Sequence, residues 1–554
     1  MQIASKISIF GGQMRSLKLS ILCLIAAMAA TPTVAATEAP PKATAHANSC
    51  MSLNAFSLET AADVPGRVVD ASVVTGGATP DDLRISYKKR GHSQGAPTPM
   101  MEVFPEHCRV EGYMTPNIKF IMLLPPAEKW NGRFMMAACE GWCGYIYEAT
   151  LMPGLNRGYA VITNDGGHYS DPPFDGVWAY NNVDVRIDFA HRANHVTAQA
   201  GKAMIKEFYG RPAKYSYIAG FSKGGNAGLL TATHYPEDFD GVFAKAPVPY
   251  YQWKNAAHFP WLAKAVYPKD DTAIMDSSKL PLINSSVIAA CDTLDGLKDG
   301  IIDDPRVCKW DPVKIVCKPG QDETKCLTMP QVEALRKVYA PALDDKGKVI
   351  FPWGTDRGSE IDWPAALVPD SPEPAYVLDG ARTGLKYMVF REAKGPDFDW
   401  RTFDYEAELA GVEEMGKIMD AAGTDYNAFK ARGGKMIVVH GWADALVSAA
   451  MTIDWFEKMR ADMGGKEATN SFAQLYVVPG MVHGSGGTGP YEYDALTALE
   501  KWVEEGVQPE QLIMWDEASE TPRRSRPIYP YPTLSKYSGK GDINSASSYK
   551  PSAK

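Results

Sequence analysis

Gly220-Phe221-Ser222-Lys223-Gly224 places a serine between glycines, after the β-rich run Tyr215 to Ala219 and before a helical stretch that stops ahead of Pro236. The pattern G-x-S-x-G is weak by itself. Its context of strand, tight turn and helix is that of a nucleophile held out on a strained backbone. Side chains in place of the glycines would clash where strand and helix approach closely. An incidental Ser in a glycine-rich turn is the competing explanation, and the flanking elements speak against it.

A Ser hydroxyl attacks a carbonyl only when a neighbouring base removes its proton. In a strand-turn-helix site of this kind the partners follow in the order Ser, acid, His. After Ser222 the chain offers His234, His258, His440 and His483. His234 sits on the helix leaving the turn and points away, and His258 falls in or near a stretch of different character. His440 ends the apolar strand Met436 to Val439 and reads as a structural His closing a turn. His483 follows the strand Leu475 to Val478 in the loop Pro479 to Gly484, which makes it the base. Asp444, in the loop His440-Gly441-Trp442-Ala443-Asp444, is then the acid that orients it. The chemistry is acyl transfer through a serine ester. Its tetrahedral intermediate needs two backbone donors. Lys223 N–H is one. Either Glu140 or Gly141, in the loop Cys139 to Gly144, supplies the other, and the sequence does not choose between them.

A second cluster could hold a cation: Cys291-Asp292-Thr293-Leu294-Asp295-Gly296-Leu297-Lys298-Asp299-Gly300-Ile301. Carboxylates separated by turn-forming glycines suit Ca²⁺, which takes carboxylate and carbonyl oxygens, although the spacing is not that of an EF-hand. A solvated acidic turn is the alternative, and the flanking Cys291 and Cys308 favour a structural metal.

The elements that must position these groups alternate between strand and helix from about Pro116 onward. Runs at 119–124, 133–138, 159–163, 215–219, 435–440 and 472–478 read as strands. Stretches at 188–209 and 448–463 have helical periodicity. That alternation predicts a largely parallel sheet covered on both faces. Between about 251 and 431 it breaks down into a segment rich in Pro, Asp, Trp and Cys. The expected organisation is one α/β core over 37–250 and 432–554, interrupted by a lid at 251–431. Trp353, Trp363, Tyr387, Phe390, Trp400 and Phe403 of that lid are either the wall of an aromatic acyl pocket or simply lid core.

Residues 1–36 have the layout of an export signal: Arg15 and Lys18, the apolar run Leu19 to Ala30, then small residues up to Ala36. The run is too short to span a bilayer comfortably, and no later segment reads as transmembrane. Of nine cysteines, Cys23 lies in the signal. The eight others suggest disulfides in an exported protein. Pairing is not fixed by sequence. Local pairs are the cheapest choice: Cys139 with Cys143, Cys291 with Cys308, Cys317 with Cys326, leaving Cys50 with Cys108. A net charge of -9 without a long basic run argues against nucleic acid as a partner.

From Cys50 onward the chain resembles the tannase/feruloyl esterase family, which includes the hydrolase of mono(2-hydroxyethyl) terephthalate. The likeness rests on Thr163-Asn164-Asp165-Gly166-Gly167-His168, Asp188-Phe189-Ala190-His191-Arg192, the Ser222 turn, Tyr235 to Gly241, the Asp/Gly loop, Lys386 to Phe390, Val478 to His483 and Gly541 to Asn544. It implies an α/β-hydrolase fold with a lid, the triad Ser222, Asp444 and His483, and esters of aromatic acids as substrates. It also implies Ca²⁺ on Asp292, Asp295 and Asp299 with backbone oxygens of Leu297 and Ile301. Many members bridge the site by a disulfide whose positions are Phe221 and Gly484 here, so that bridge cannot form. A second family pair near the C-terminus is also absent, with Tyr529 at one position. Lys223 is unusual after the nucleophile, and its side chain would favour an anionic substrate. The expectation is an exported or periplasmic carboxylesterase for small aromatic esters. A peptidase with the same triad and a binding protein with a vestigial triad are the alternatives.

Overall fold

The computed structural model describes residues 45–78, 103–170, 174–364, 366–369, 375–516 and 524–552. The expected export signal at 1–36 lies outside them. Nine strands make one sheet: β1 Gly66–Val74, β2 His107–Met114, β3 Ile118–Leu124, β4 Arg133–Ala137, β5 Ala160–Asn164, β6 Tyr215–Phe221, β7 Gly241–Lys245, β8 Lys435–Gly441 and β9 Ala473–Val478. Their order is β1-β2-β3-β5-β4-β6-β7-β8-β9. From β5 to β9 every pairing is parallel. From β1 to β5 every pairing is antiparallel. The sequence reading missed β1 and β2, which precede the strand-helix alternation.

Successive residues of each parallel strand serve two separate cores. Phe134, Met136, Ile218, Met436, Val438 and Leu475 face one. Met135, Ala137, Ala219, Ile437, Val439 and Tyr476 face the other. With both faces covered the strands carry unbroken apolar runs rather than alternating ones. Helix α1 (Ala193–Tyr209) packs on the first core through Val196, Ala200, Met204 and Phe208. Helix α2 (Lys223–His234) leaves β6 at the Ser222 turn.

Strand β4 lies between β5 and β6, so the chain goes to one side after β4 and to the other after β5. In such sheets the reversal opens a crevice beyond the carboxyl ends of the two strands. Those ends carry the Cys139 loop and the Ser222 turn.

Neighbouring strands β7 and β8 pair in register from Gly241 with Lys435 to Lys245 with Val439. Between them the chain builds short helices, among them Phe259–Val266, Leu280–Cys291, Met329–Tyr339, Tyr376–Thr383 and Tyr405–Met419. This is the stretch where alternation broke down in the sequence. Trp363, Phe390, Trp400 and Phe403 are buried within it. Trp353 stacks on Tyr250 at 5.0 Å, and Tyr387 meets Tyr180 edge-on at 5.6 Å.

The eight cysteines form the expected bridges, three local ones, Cys139–Cys143, Cys291–Cys308 and Cys317–Cys326, and the longer Cys50–Cys108. Among the described residues no helix is long and apolar enough to cross a membrane.

Candidate active site

Ser222 has φ 57° and ψ −114°, a conformation that costs energy for a residue with a side chain. The turn that holds it depends on close backbone approach. A methyl group on Gly220 would sit 2.3 Å from the backbone of Gly224. Across the crevice, Gly441 could not carry a side chain either, because its Cβ would lie 2.2 Å from Met481 O. That contact lets the loops after β8 and β9 run side by side, joined by Trp442 N–H to Val478 O and Ala443 N–H to Met481 O, both at 2.9 Å.

Those loops deliver the two remaining groups. Nε2 of His483 is 3.2 Å from Ser222 Oγ, and its Nδ1 is 2.6 Å from Asp444 Oδ2. Asp444 is fully satisfied. Its Oδ1 accepts N–H from Leu446 at 2.9 Å and Val447 at 2.8 Å. Burial by itself raises this carboxyl, but His483 and His440 outweigh it and hold Asp444 well below the usual carboxylate range. The acid therefore stays ionised and the His483 ring is fixed with Nδ1–H towards it. The three residues read from chain order converge.

His440 closes the turn after β8 as expected, and it also reaches the acid. Its Nε2 lies 3.2 Å from the same Asp444 Oδ2 and 2.8 Å from Val447 O. Asp362 was not foreseen at all. Its Oδ2 accepts N–H from both His483 and Ala445, each at 3.1 Å. One lid carboxylate thus ties the His483 loop to the Asp444 loop. Burial and the nearby Asp444 push it up to about 7, partly countered by His483. Phe221 packs its ring 4.5 Å from the His483 ring.

The Cys139–Cys143 bridge closes a tight loop in which Cys143 N–H bonds Glu140 O at 2.9 Å and Gly141 has φ 62°. The family-like segment after β5 braces it. Gly144 N–H bonds Asp165 O at 2.9 Å, and Trp142 O meets His168 Nε2 at 2.8 Å. The His168 ring stacks on Trp178 at 3.7 Å, and burial lowers it to about 4, so it is neutral at physiological pH. Lys223 is 1% exposed, donates to Ala190 O at 3.3 Å and lies over the Phe189 ring. Its ammonium is turned into the core, against the expectation that it would meet a substrate.

The acidic loop folds on itself. Asp292 Oδ1 accepts N–H from Asp299 at 3.1 Å and Gly300 at 3.0 Å, Asp295 accepts from Leu297, and Asp299 from Ile301. Gly296 and Gly300 supply the turns with φ 92° and 80°. Arg526 Nη2 pairs with Asp303 Oδ2 at 2.6 Å, and Nη1 is 3.7 Å from Asp299. The other oxygen of Asp303 is buried without a partner. Among the described residues no group of three or more His, Cys, Asp or Glu is gathered as a metal cage. The donors themselves, carboxylates in excess of the one guanidinium and an orphaned oxygen, fit a hard cation.

A family model described as tannase and feruloyl esterase matches residues 102–552. The chain is 32% identical over 521 residues to the mono(2-hydroxyethyl) terephthalate hydrolase of Piscinibacter sakaiensis, covering 80% of this chain and 84% of that one. It is 30% identical over 446 residues to a probable feruloyl esterase of Arthroderma benhamiae, covering 77% and 81%. The crystal structure of feruloyl esterase B from Aspergillus oryzae superposes with a TM-score of 0.76 at 25% identity, over 92% of this chain and all of that one.

Proposed function

From the premise that the chain belongs to the tannase and feruloyl esterase family and is a carboxylic ester hydrolase, we propose that it cleaves esters of aromatic acids through an acyl-enzyme on Ser222. The observation that carries this is the continuous path from Ser222 Oγ through the His483 ring to Asp444 Oδ2.

Ser222 Oγ attacks the ester carbonyl while its proton passes to His483 Nε2. Asp444 stabilises the imidazolium so formed and keeps its Nδ1–H in place. The carbonyl oxygen, now an anion, takes Lys223 N–H and a second N–H from the braced loop at Glu140 or Gly141. As the carbon–oxygen bond to the alcohol breaks, His483 returns the proton to the leaving oxygen. Water then attacks the acyl carbon while His483 takes one of its protons, and the bond to Ser222 Oγ breaks as His483 returns that proton to Oγ, which releases the aromatic acid. The likeness to a mono(2-hydroxyethyl) terephthalate hydrolase and to feruloyl esterases supports an aromatic acyl group.

The reading includes Ca²⁺ in the lid, held by Asp292, Asp295 and Asp299 with the backbone oxygens of Leu297 and Ile301. Bound there it would neutralise an acidic loop and take no part in the reaction. Export beyond the cytoplasm is also proposed, supported by the signal-like layout of residues 1–36 and by four disulfides.

The test is turnover of a panel of methyl hydroxycinnamate, gallate and terephthalate esters, with fluorophosphonate labelling of the same preparations. Wild-type protein should hydrolyse one class and be labelled, and Ser222→Ala should lose both. Labelling that survives Ser222→Ala, or a wild type inert on every aryl ester, would overturn the reading.

A further inference from the structure

The disulfide-closed loop Cys139 to Cys143 lies directly against the turn that carries Ser222 and Lys223. A methyl group on Gly224 would meet Ala138 O at 3.0 Å and Cys139 O at 3.1 Å. Three successive carbonyls of this loop each have a donor. Cys143 N–H bonds Glu140 O at 2.9 Å. The Tyr251 hydroxyl donates to Gly141 O at 3.4 Å. His168 Nε2 is 2.8 Å from Trp142 O, and because a carbonyl only accepts, Nε2 carries the proton of that ring.

The C=O and N–H of one peptide lie in a plane and point in opposite directions, so holding a carbonyl aims the N–H of the following residue. His168 thereby fixes the peptide between Trp142 and Cys143, whose N–H is the one that bonds Glu140 O. Glu140 O in turn shares a peptide with Gly141 N–H, which has no acceptor among the described residues. Tyr251 fixes the peptide that lies between these two. The direction of Gly141 N–H is therefore set by two side chains from outside the loop.

Both side chains are buried and held in place. The Phe189 ring stands edge-on to His168 at 5.8 Å and to Tyr251 at 5.7 Å, and the Lys223 ammonium lies 4.6 Å from its centre. Tyr251 begins the lid. Next to it, Gln252 N–H bonds Asp420 Oδ1 at 2.6 Å. Asn226 on α2 donates to Val248 O at 3.0 Å and Met419 O at 3.2 Å, which ties the start and finish of the lid to the helix that follows Ser222.

We propose that His168 and Tyr251 are positioning residues that aim the second oxyanion donor, one from the core and one from the lid. This rests on the acyl-enzyme reading and deepens it: a seated lid completes the oxyanion site. Loss of one oxyanion donor costs roughly a hundredfold or more in rate. The disulfide and the Cys143–Glu140 bond would preserve part of the alignment when a positioning residue is removed.

Full-length wild type, His168→Phe, His168→Gln and Tyr251→Phe are compared on p-nitrophenyl acetate, whose acyl group is not aromatic, so that the result is independent of acyl preference. His168→Phe keeps a ring beside Trp178 without a donor, and His168→Gln restores an N–H. In His168→Phe kcat/KM should fall at least about tenfold, with partial recovery in His168→Gln. Tyr251→Phe, which loses a single oxygen, should cost about threefold. Trifluoroacetophenone separates aiming from folding. Ser222 Oγ adds to its ketone carbon, His483 takes the hydroxyl proton, and the ketone oxygen becomes the anion that the loop N–H binds. Its inhibition constant should rise by the factor that kcat/KM falls, while the pH at which His483 limits kcat/KM stays where it is in wild type. Undiminished kcat/KM in His168→Phe and Tyr251→Phe overturns the proposal. So does a slowed variant that binds the ketone as tightly as wild type, or a folded His168→Gln as slow as His168→Phe. Should the His168 variants fail to fold, Tyr251→Phe with the ketone decides. A wild type inert on p-nitrophenyl acetate and unlabelled by fluorophosphonate overturns the acyl-enzyme reading itself, and this proposal with it.

Discussion

His440 and Asp444, four residues apart, are joined by a buried contact of 3.2 Å from Nε2 to Oδ2, the same oxygen that receives His483 Nδ1 at 2.6 Å. Facing both this oxygen and Val447 O, His440 Nε2 must carry a proton. Its Nδ1 lies 2.9 Å from Thr452 Oγ1, which fixes the ring from behind. His440 thus positions the triad acid. Removing the ring frees Asp444 to rotate and misdirects His483, and a displacement of this kind costs on the order of 10- to 100-fold in kcat. His440→Ala should show that loss with little change in KM, and fluorophosphonate labelling should slow in parallel. Unaltered labelling would return His440 to the turn-closing part that its sequence position suggests.

Asp362 holds the two catalytic loops with a single oxygen. The role is sharpened because positions 221 and 484 are Phe and Gly, so no disulfide can join them; the Phe221 ring lies 4.5 Å from the His483 ring. Asp362→Ala leaves two N–H groups without an acceptor, a cost of about 1–3 kcal/mol for each if both stay buried. Calorimetry should show a Tm lowered by several degrees, and kcat should fall while Ser222 remains in place. Asp362→Asn keeps a carbonyl oxygen to accept both bonds, so its loss should be clearly smaller. Equal effects from the two variants would show that negative charge, rather than acceptance, is what the site needs.

Calcium should act on stability alone. A ligand that binds only the folded state adds about 2.7 kcal/mol at one hundred times its Kd. For a chain of this size that is a Tm rise of several degrees. Chelator should therefore lower Tm, added Ca²⁺ should restore it, and Asp295→Asn with Asp299→Asn should abolish the response. A Tm indifferent to chelator would mean that the turns within the loop and Arg526 suffice.

Chain order singled out Ser222, Asp444 and His483 because each follows a strand whose apolar run is unmistakable, β6, β8 and β9, and the structure brings these three side chains together. Local spacing exposed the disulfides for the same reason, since the pairs lie within short loops apart from Cys50–Cys108. What the sequence concealed depends on convergence. Asp362 belongs to a lid segment with no periodic signal, and nothing near it announces His483. His440 was visible, but a histidine at a strand end looks alike whether it caps a turn or holds a carboxylate. The antiparallel edge was missed because β1 and β2 adjoin no helical pattern. Lys223 misled because a side chain's direction from a strained turn is set by what packs around it, here Phe189 and Tyr251.

The N-terminal segment is fastened by a pH-sensitive contact. His195 on α1 lies between two carboxylates, with Nδ1 2.7 Å from Asp238 and Nε2 2.9 Å from Asp63, and its ring stacks 3.8 Å from Tyr235. Burial lowers the imidazolium, but Asp238 and Asp63 prevail and raise it above its ordinary value. A group whose pKa is higher folded than unfolded binds its proton more tightly in the folded state. Its stabilisation is complete below the unfolded value of about 6.5 and is lost as pH rises through the higher folded value. Neighbouring His191 does not share this behaviour, because burial, with His234 next, lowers it to about 3 and leaves it neutral. His195→Gln should therefore lower Tm more at pH 5.5 than at pH 9. Melting wild type and variant across that range checks it. A Tm difference that stays constant with pH would show that packing against Tyr235, and not the charge between Asp63 and Asp238, is what His195 contributes.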